Sequence, residues 1–182
     1  MTNQETVTTS STGKVPTSSS SECDLLLGRL EAQRRHILED LEGLSEEALR
    51  RAVLPSGWTS LGLVGHLTND VERFWFRCVL AGEEEAIEVT TSFGNAWEVD
   101  PEARAADVLA AYEDEISKAN AVIARSSLDA SPLWWPEGLF GSWRLDSVRE
   151  VLLHAIVETA THAGQLDAVR ELIDGRQWLV LG

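Results

Sequence analysis

Glu158 and His162 stand four residues apart, with His154 one turn before them and Gln165 three residues after. On a helix, residues at this spacing share a face, so a carboxylate and an imidazole can reach one ion. With about 100° per residue and His154 at zero, Gln165 falls near 20°, Glu158 near 40° and His162 near 80°. Val151, Ala155, Val169, Leu172 and Ile173 fall between about 0° and 100°, and Val148 and Leu166 near 120°. This count places the polar groups in the middle of the stripe expected to face a core. A lone buried carboxylate costs several kcal/mol unless something pairs with it. A divalent metal is one such partner; Arg73, Arg77 or Arg144 is another. Two ligands from one helix leave a cation under-coordinated, so a third must come from elsewhere. Of the four histidines, His36 and His66 remain. His66 lies at the edge of an apolar arc on an earlier helix. His36, between Arg35 and Ile37, reads as exposed.

The elements that must position these groups are helical. Leu26, Leu30, Ile37, Leu41 and Leu44 predict a helix from Cys23 to about Leu44. Ser45-Glu46-Glu47 starts a short second turn, and Pro55-Ser56-Gly57 is a break. The next helix is predicted from Thr59 or Ser60 to Ala81, stopped by Gly82. Residues 83–100 read as a connection with a short extended piece at Ile87-Glu88-Val89. Asp100-Pro101-Glu102 has the pattern of a helix start, with Asp as N-cap and Pro at the first position. That helix carries Val108, Leu109, Tyr112, Ile116 and Ile123 and ends near Ser126. A loop with Trp134, Trp135 and Trp143 precedes the last helix, which runs from Asp146 or Ser147 to Asp174 and is closed by Gly175. The pattern predicts an all-α four-helix bundle over residues 22–182, with short extra helices or loops. Residues 1–21, rich in Ser and Thr, read as a disordered tail.

Composition narrows the partners. Apolar residues make up 43% of the chain and charged residues 25%, which are globular values. Thirty acidic residues against fifteen basic ones give a net charge of −15, which repels phosphate backbones and anionic lipid. Neither nucleic acid nor a membrane is therefore expected as a partner. No apolar run reaches the roughly 18 residues of a membrane span, and no secretory signal pattern is visible; the expected compartment is the cytoplasm. Cys23 and Cys78 form no CxxC pattern, and Cys78 reads as a small core residue. His66, Asp70, Arg73 and Arg77 form one polar stripe. It is either a solvated face or a place where Arg73 or Arg77 contacts an anionic group of a substrate or thiol. Of the three tryptophans before the last helix, two are expected to pack; a pocket mouth or a dimer contact would suit the third.

Two segments carry a family resemblance. Gly57-Trp58-Thr59-Ser60-Leu61-Gly62-Leu63-Val64-Gly65-His66-Leu67 resembles the opening of helix two in DinB/YfiT-like proteins. Leu152-Leu153-His154-Ala155-Ile156-Val157-Glu158-Thr159-Ala160-Thr161-His162-Ala163-Gly164-Gln165 resembles their metal-binding fourth helix. The similarity spans about residues 23–178. It points to the actinobacterial branch with mycothiol-dependent maleylpyruvate isomerase and mycothiol S-transferase. The resemblance implies His66, Glu158 and His162 as metal ligands; many members have His at the position of Glu158, whereas the isomerase-like branch has Glu. His154 is a candidate for supporting the ligands or carrying a proton, not a ligand itself.

An open His2Glu set suits Zn2+ first, with Ni2+, Mn2+ or Fe2+ also acceptable. The resemblance implies a transferase or isomerase in which a low-molecular-weight thiol, mycothiol first, attacks an electrophilic small molecule. Two other readings stay open: a hydrolase using metal-bound water, and a non-catalytic metal- or ligand-binding stress protein. A homodimer is also open.

Overall fold

The computed structural model describes residues 21–92 and 94–178. The tail read as disordered lies outside them, apart from Ser21. Every regular element among the described residues is helical: α1 (Glu22–Leu41), α2 (Glu46–Leu49), α3 (Ser60–His66) running on as a π-helical segment (Leu67–Leu80), α4 (Glu84–Ser92), α5 (Ala105–Ala124) and α6 (Val148–Asp174). Four long rods, α1, α3 with its π continuation, α5 and α6, make the all-α bundle. No helix among the described residues is long and apolar enough to cross a membrane.

Local chemistry fixes most of the boundaries. Ser21 accepts from the Asp24 amide while the Ser21 amide donates back to the Asp24 carboxylate, a reciprocal cap on α1. Thr59 and Ser147 accept the Gly62 and Glu150 amides at the starts of α3 and α6. Gly175 ends α6 at φ +80°, where a side chain would be strained.

Two expectations are corrected. The extended piece at Ile87-Glu88-Val89 is helical, inside α4. Ala86 of α4 is buried, and α4 packs on the π segment, so tertiary burial overrides a local β preference. Asp100-Pro101-Glu102 does not start α5. Asp100 closes a turn instead, its carboxylate taking the Glu102 amide at 2.9 Å and its carbonyl the Ala103 amide at 3.1 Å. α5 begins at Ala105, whose amide is capped by the Glu46 carboxylate from α2. A cap from a distant element leaves no local signature.

α1 lies along α6 in parallel, with Glu22 meeting Arg149 near one end and His36 meeting Asp167 near the other. The π segment packs against both α5 and α6. Leu30, Ile37, Leu63, Phe76, Tyr112 and Leu152 are fully enclosed between them. At the centre lies Arg34, 1% exposed. Its Nε and Nη2 donate to the two Glu72 oxygens at 2.8 and 2.6 Å, and its Nη1 donates to Glu31 and to Asn120. One guanidinium thereby ties α1 to the π segment and to α5.

The buried arc of α6 is rotated from its sequence-based position. Leu152, Thr159, Ala163, Leu166 and Arg170 are buried along with Val148, Val151, Ala155, His162 and Val169, which centres the arc near 120° with His154 at zero. Leu172, expected in the stripe, is 59% exposed. His154, Glu158 and Gln165 therefore sit at the margin of the core rather than in its middle, where the helix meets solvent.

Candidate metal centre

α3 brings His66 to that margin. The approach depends on two glycines. A Cβ on Gly62 would stand 2.5 Å from the Trp97 carbonyl oxygen, and one on Gly65 2.6 Å from that of Ala96. Their absence lets the 96–97 chain cross α3 at contact distance. The Trp97 ring then stacks on the His66 imidazole, centroids 4.4 Å apart at 14°, and meets His162 edge-on at 5.6 Å. Gly65→Ala is expected to displace this crossing, because the obstacle is backbone and cannot rotate away. A red-shifted tryptophan emission and weaker metal binding in a folded variant would report it; an unchanged spectrum and affinity would contradict it.

His66 Nε2 lies 3.1 Å from His162 Nε2 and 3.6 Å from Glu158 Oε1, and His162 Nε2 lies 3.3 Å from the same oxygen. Ligand bonds of about 2.0–2.2 Å at tetrahedral angles place ligand atoms about 3.3–3.6 Å apart. The triangle therefore has the size that one small divalent ion requires.

The outer nitrogens sharpen this fit. His66 Nδ1 faces Asp70 Oδ2 at 2.8 Å, and His162 Nδ1 faces Gln165 Oε1 at 2.9 Å. A carboxylate or amide oxygen only accepts, so each Nδ1 carries the proton and donates. In the neutral imidazoles both Nε2 atoms are then bare lone pairs aimed at each other and at a carboxylate oxygen. Three acceptors then converge with no donor among them, and a metal cation between them makes that arrangement favourable. No arginine among the described residues relieves Glu158. Arg144 pairs with Glu137 and Asp146. Arg73 and Arg77 converge on the buried Glu115, at 2.9 and 3.1 Å, and Arg77 also holds Glu83.

Arg73 and Arg77 are thus half-buried and engaged in ion pairs, in place of the solvated stripe that was one of the two sequence readings. Neither lines the cavity beside the triangle. That cavity, about 470 Å³, is bounded by Asp70, Phe74, Trp75, Thr90, Phe140, His154 and Glu158, together with Leu139 at its rim. His154 packs edge-on against Trp75 at 4.6 Å. Burial holds its pKa below the usual histidine value, against the opposing pull of Glu158. Trp135 is buried and Trp134 half-buried, whereas Trp143 is 43% exposed beside His154.

Sequence reasoning missed Trp97 and Thr90. Both lie in the stretch read as a connection: Trp97 is in a loop, where no periodicity marks it, and Thr90 is in α4, a helix that sequence reading did not find. His36 is also not simply exposed; it bonds Asp167 and stacks on Trp178.

Cys78 is fully buried, and burial pushes its thiol pKa up despite a contact with Thr90. It is expected to resist iodoacetamide in the native protein, so mass spectrometry should find at most one adduct before denaturation and two after it. Rapid native labelling of Cys78 would contradict this.

A family model described as Mycothiol-S-transferase matches residues 25–175. No curated protein and no solved structure matches the chain.

Proposed function

The chain belongs to the mycothiol-S-transferase family, and from that premise we propose that it transfers a low-molecular-weight thiol, mycothiol in the first instance, to an electrophilic small molecule at a metal centre built by His66, Glu158 and His162. The observation that carries this reading is the convergence of His66 Nε2, His162 Nε2 and Glu158 Oε1 at 3.1–3.6 Å beside an open cavity. His66, Glu158 and His162 would hold a divalent ion, Zn2+ first among those this donor set suits, and the ion would lower the pKa of a thiol bound to it.

The chain's own residues do the rest. Asp70 and Gln165 hold the two imidazoles by their Nδ1 protons, which fixes ring orientation and keeps Nε2 free to coordinate. Phe74, Trp75 and Phe140 give the cavity an apolar wall that excludes water from the sulfur and suits an uncharged electrophile. His154 shares the cavity with Glu158 and burial holds its pKa down, so as a neutral base it can take the thiol proton as sulfur bonds to carbon and the carbon's bond to the leaving group breaks, its electron pair departing with that group. Cys78 is not the nucleophile, since it is enclosed and its thiol is held protonated. The cavity with room for a substrate favours turnover over passive metal storage.

The test is consumption of mycothiol with a generic alkylating electrophile by chelator-treated protein before and after Zn2+, Mn2+ or Ni2+ is restored. Metal-dependent loss of thiol is expected. The rate should fall on the acid side only below the ordinary histidine value near 6.5, because burial lowers the His154 pKa. Turnover of an ester without thiol, and none with it, would replace this reading with the hydrolase.

A further inference from the structure

α6 carries a second group of ligating side chains. Asp167 follows His162 by five residues, about 7.5 Å along the axis and about 140° around it, and so points to a different seam. There it faces His36 and Asp40, one turn apart on α1. The ligand atoms of the three lie within 4.8 Å of one another. His36 Nε2 is 2.7 Å from Asp167 Oδ1 and 3.8 Å from Asp40 Oδ2.

Asp40 is 1% exposed, no donor group serves its Oδ2, and burial, followed by the adjacent Asp167 carboxylate, pushes its pKa up to about 6. A carboxylate oxygen enclosed without a donor is costly. The His36 imidazole is committed to Asp167 and is too far from Asp40 to serve it as well. The Arg170 guanidinium goes to the backbone carbonyls of Asp40 and Glu42 and to the Asp174 carboxylate, and Arg176 acts on Asp40 only through space. No lysine or arginine among the described residues forms an ion pair with Asp40 or Asp167. The Trp178 ring, stacked on His36 at 4.1 Å, holds the imidazole toward the two acids.

We propose that His36, Asp40 and Asp167 form a second divalent-cation site, separate from the His66 cluster, that pins α1 to α6. One imidazole and two carboxylates make a mixed nitrogen and oxygen donor set of the kind that Mn2+, Fe2+ and Zn2+ accept. The ion would supply the charge that the enclosed Asp40 oxygen lacks and would bridge residues 127 positions apart in the chain. Its role is structural, because its ligands join two helices packed along each other, α1 and α6.

The full-length chain, stripped with chelator, is titrated with Zn2+ by calorimetry and with Mn2+ by electron paramagnetic resonance. Two equivalents are expected in the wild type, one in His162→Ala, one in Asp167→Asn and none in the double variant. Asp167 is partly exposed, so Asp167→Asn is expected to fold, and circular dichroism checks it. In the His162→Ala background, added metal should raise the Tm, and Asp167→Asn should remove that rise. A stoichiometry that Asp167→Asn does not lower by one equivalent overturns the proposal, as does a metal-induced rise in Tm that survives Asp167→Asn. If the transferase centre alone is wrong, His162→Ala leaves the stoichiometry unchanged, whereas Asp167→Asn still removes one ion.

Discussion

His162→Ala is expected to abolish metal-dependent thiol transfer and to weaken Zn2+ binding at the His66 cluster beyond measurement at micromolar protein. Removing His162 leaves His66 and Glu158 as two ligands on different helices, too few for a stable site. Asp70→Ala is the informative comparison. It spares all three ligand atoms and removes only the acceptor at 2.8 Å that orients His66. A loss of about 10–100-fold in metal affinity is expected there. The two variants should thus rank, with the ligand well above its support. Calorimetric affinities measure binding, and thiol consumption measures transfer. Equal effects from both variants would mean that Asp70 is itself a ligand. No effect from His162→Ala would remove the centre from the mechanism. Global unfolding is not the expected cause, since His162 lies at the edge of the α6 arc and the enclosed Leu152 and Leu166 remain.

Arg34→Met is expected to cost about 3–5 kcal/mol of stability. It strands the Glu72 carboxylate, itself 0% exposed, with no cation to pair with it. Burial already raises the Glu72 pKa, and Arg34 is the group opposing that rise. The variant also leaves the Asn120 and Glu31 oxygens without the guanidinium donor they share. Arg34→Met/Glu72→Leu is expected to recover most of the loss, because removing both charges removes the desolvation cost as well. Urea unfolding followed by circular dichroism gives the numbers. A single variant within about 1 kcal/mol of wild type would show that water reaches Glu72.

Much of the fold was legible because its signals are local. Ser21, Thr59 and Ser147 cap the helices they precede through contacts three residues away, and Gly175 stops α6 by its own conformation. The same holds for Glu158 and His162, whose juxtaposition needs only one turn of helix. The start of α5 was not legible, since its cap comes from Glu46, 59 residues earlier. Nor was the helix α4, which is stabilised by burial against the π segment.

The chain by itself therefore determined four long helices, an acidic surface and a carboxylate one turn from an imidazole, because each follows from neighbours within about a turn. Tertiary structure decided which histidine joins that pair, that Trp97 lies flat on it, and that Arg73 and Arg77 face Glu115 instead of the cavity. It also decided that Glu158 sits at the core's margin, because the rotation of α6 is set by what α1 and the π segment cover. Those outcomes depend on contacts between residues tens of positions apart, and the free energy of such contacts is not written in any single stretch of chain.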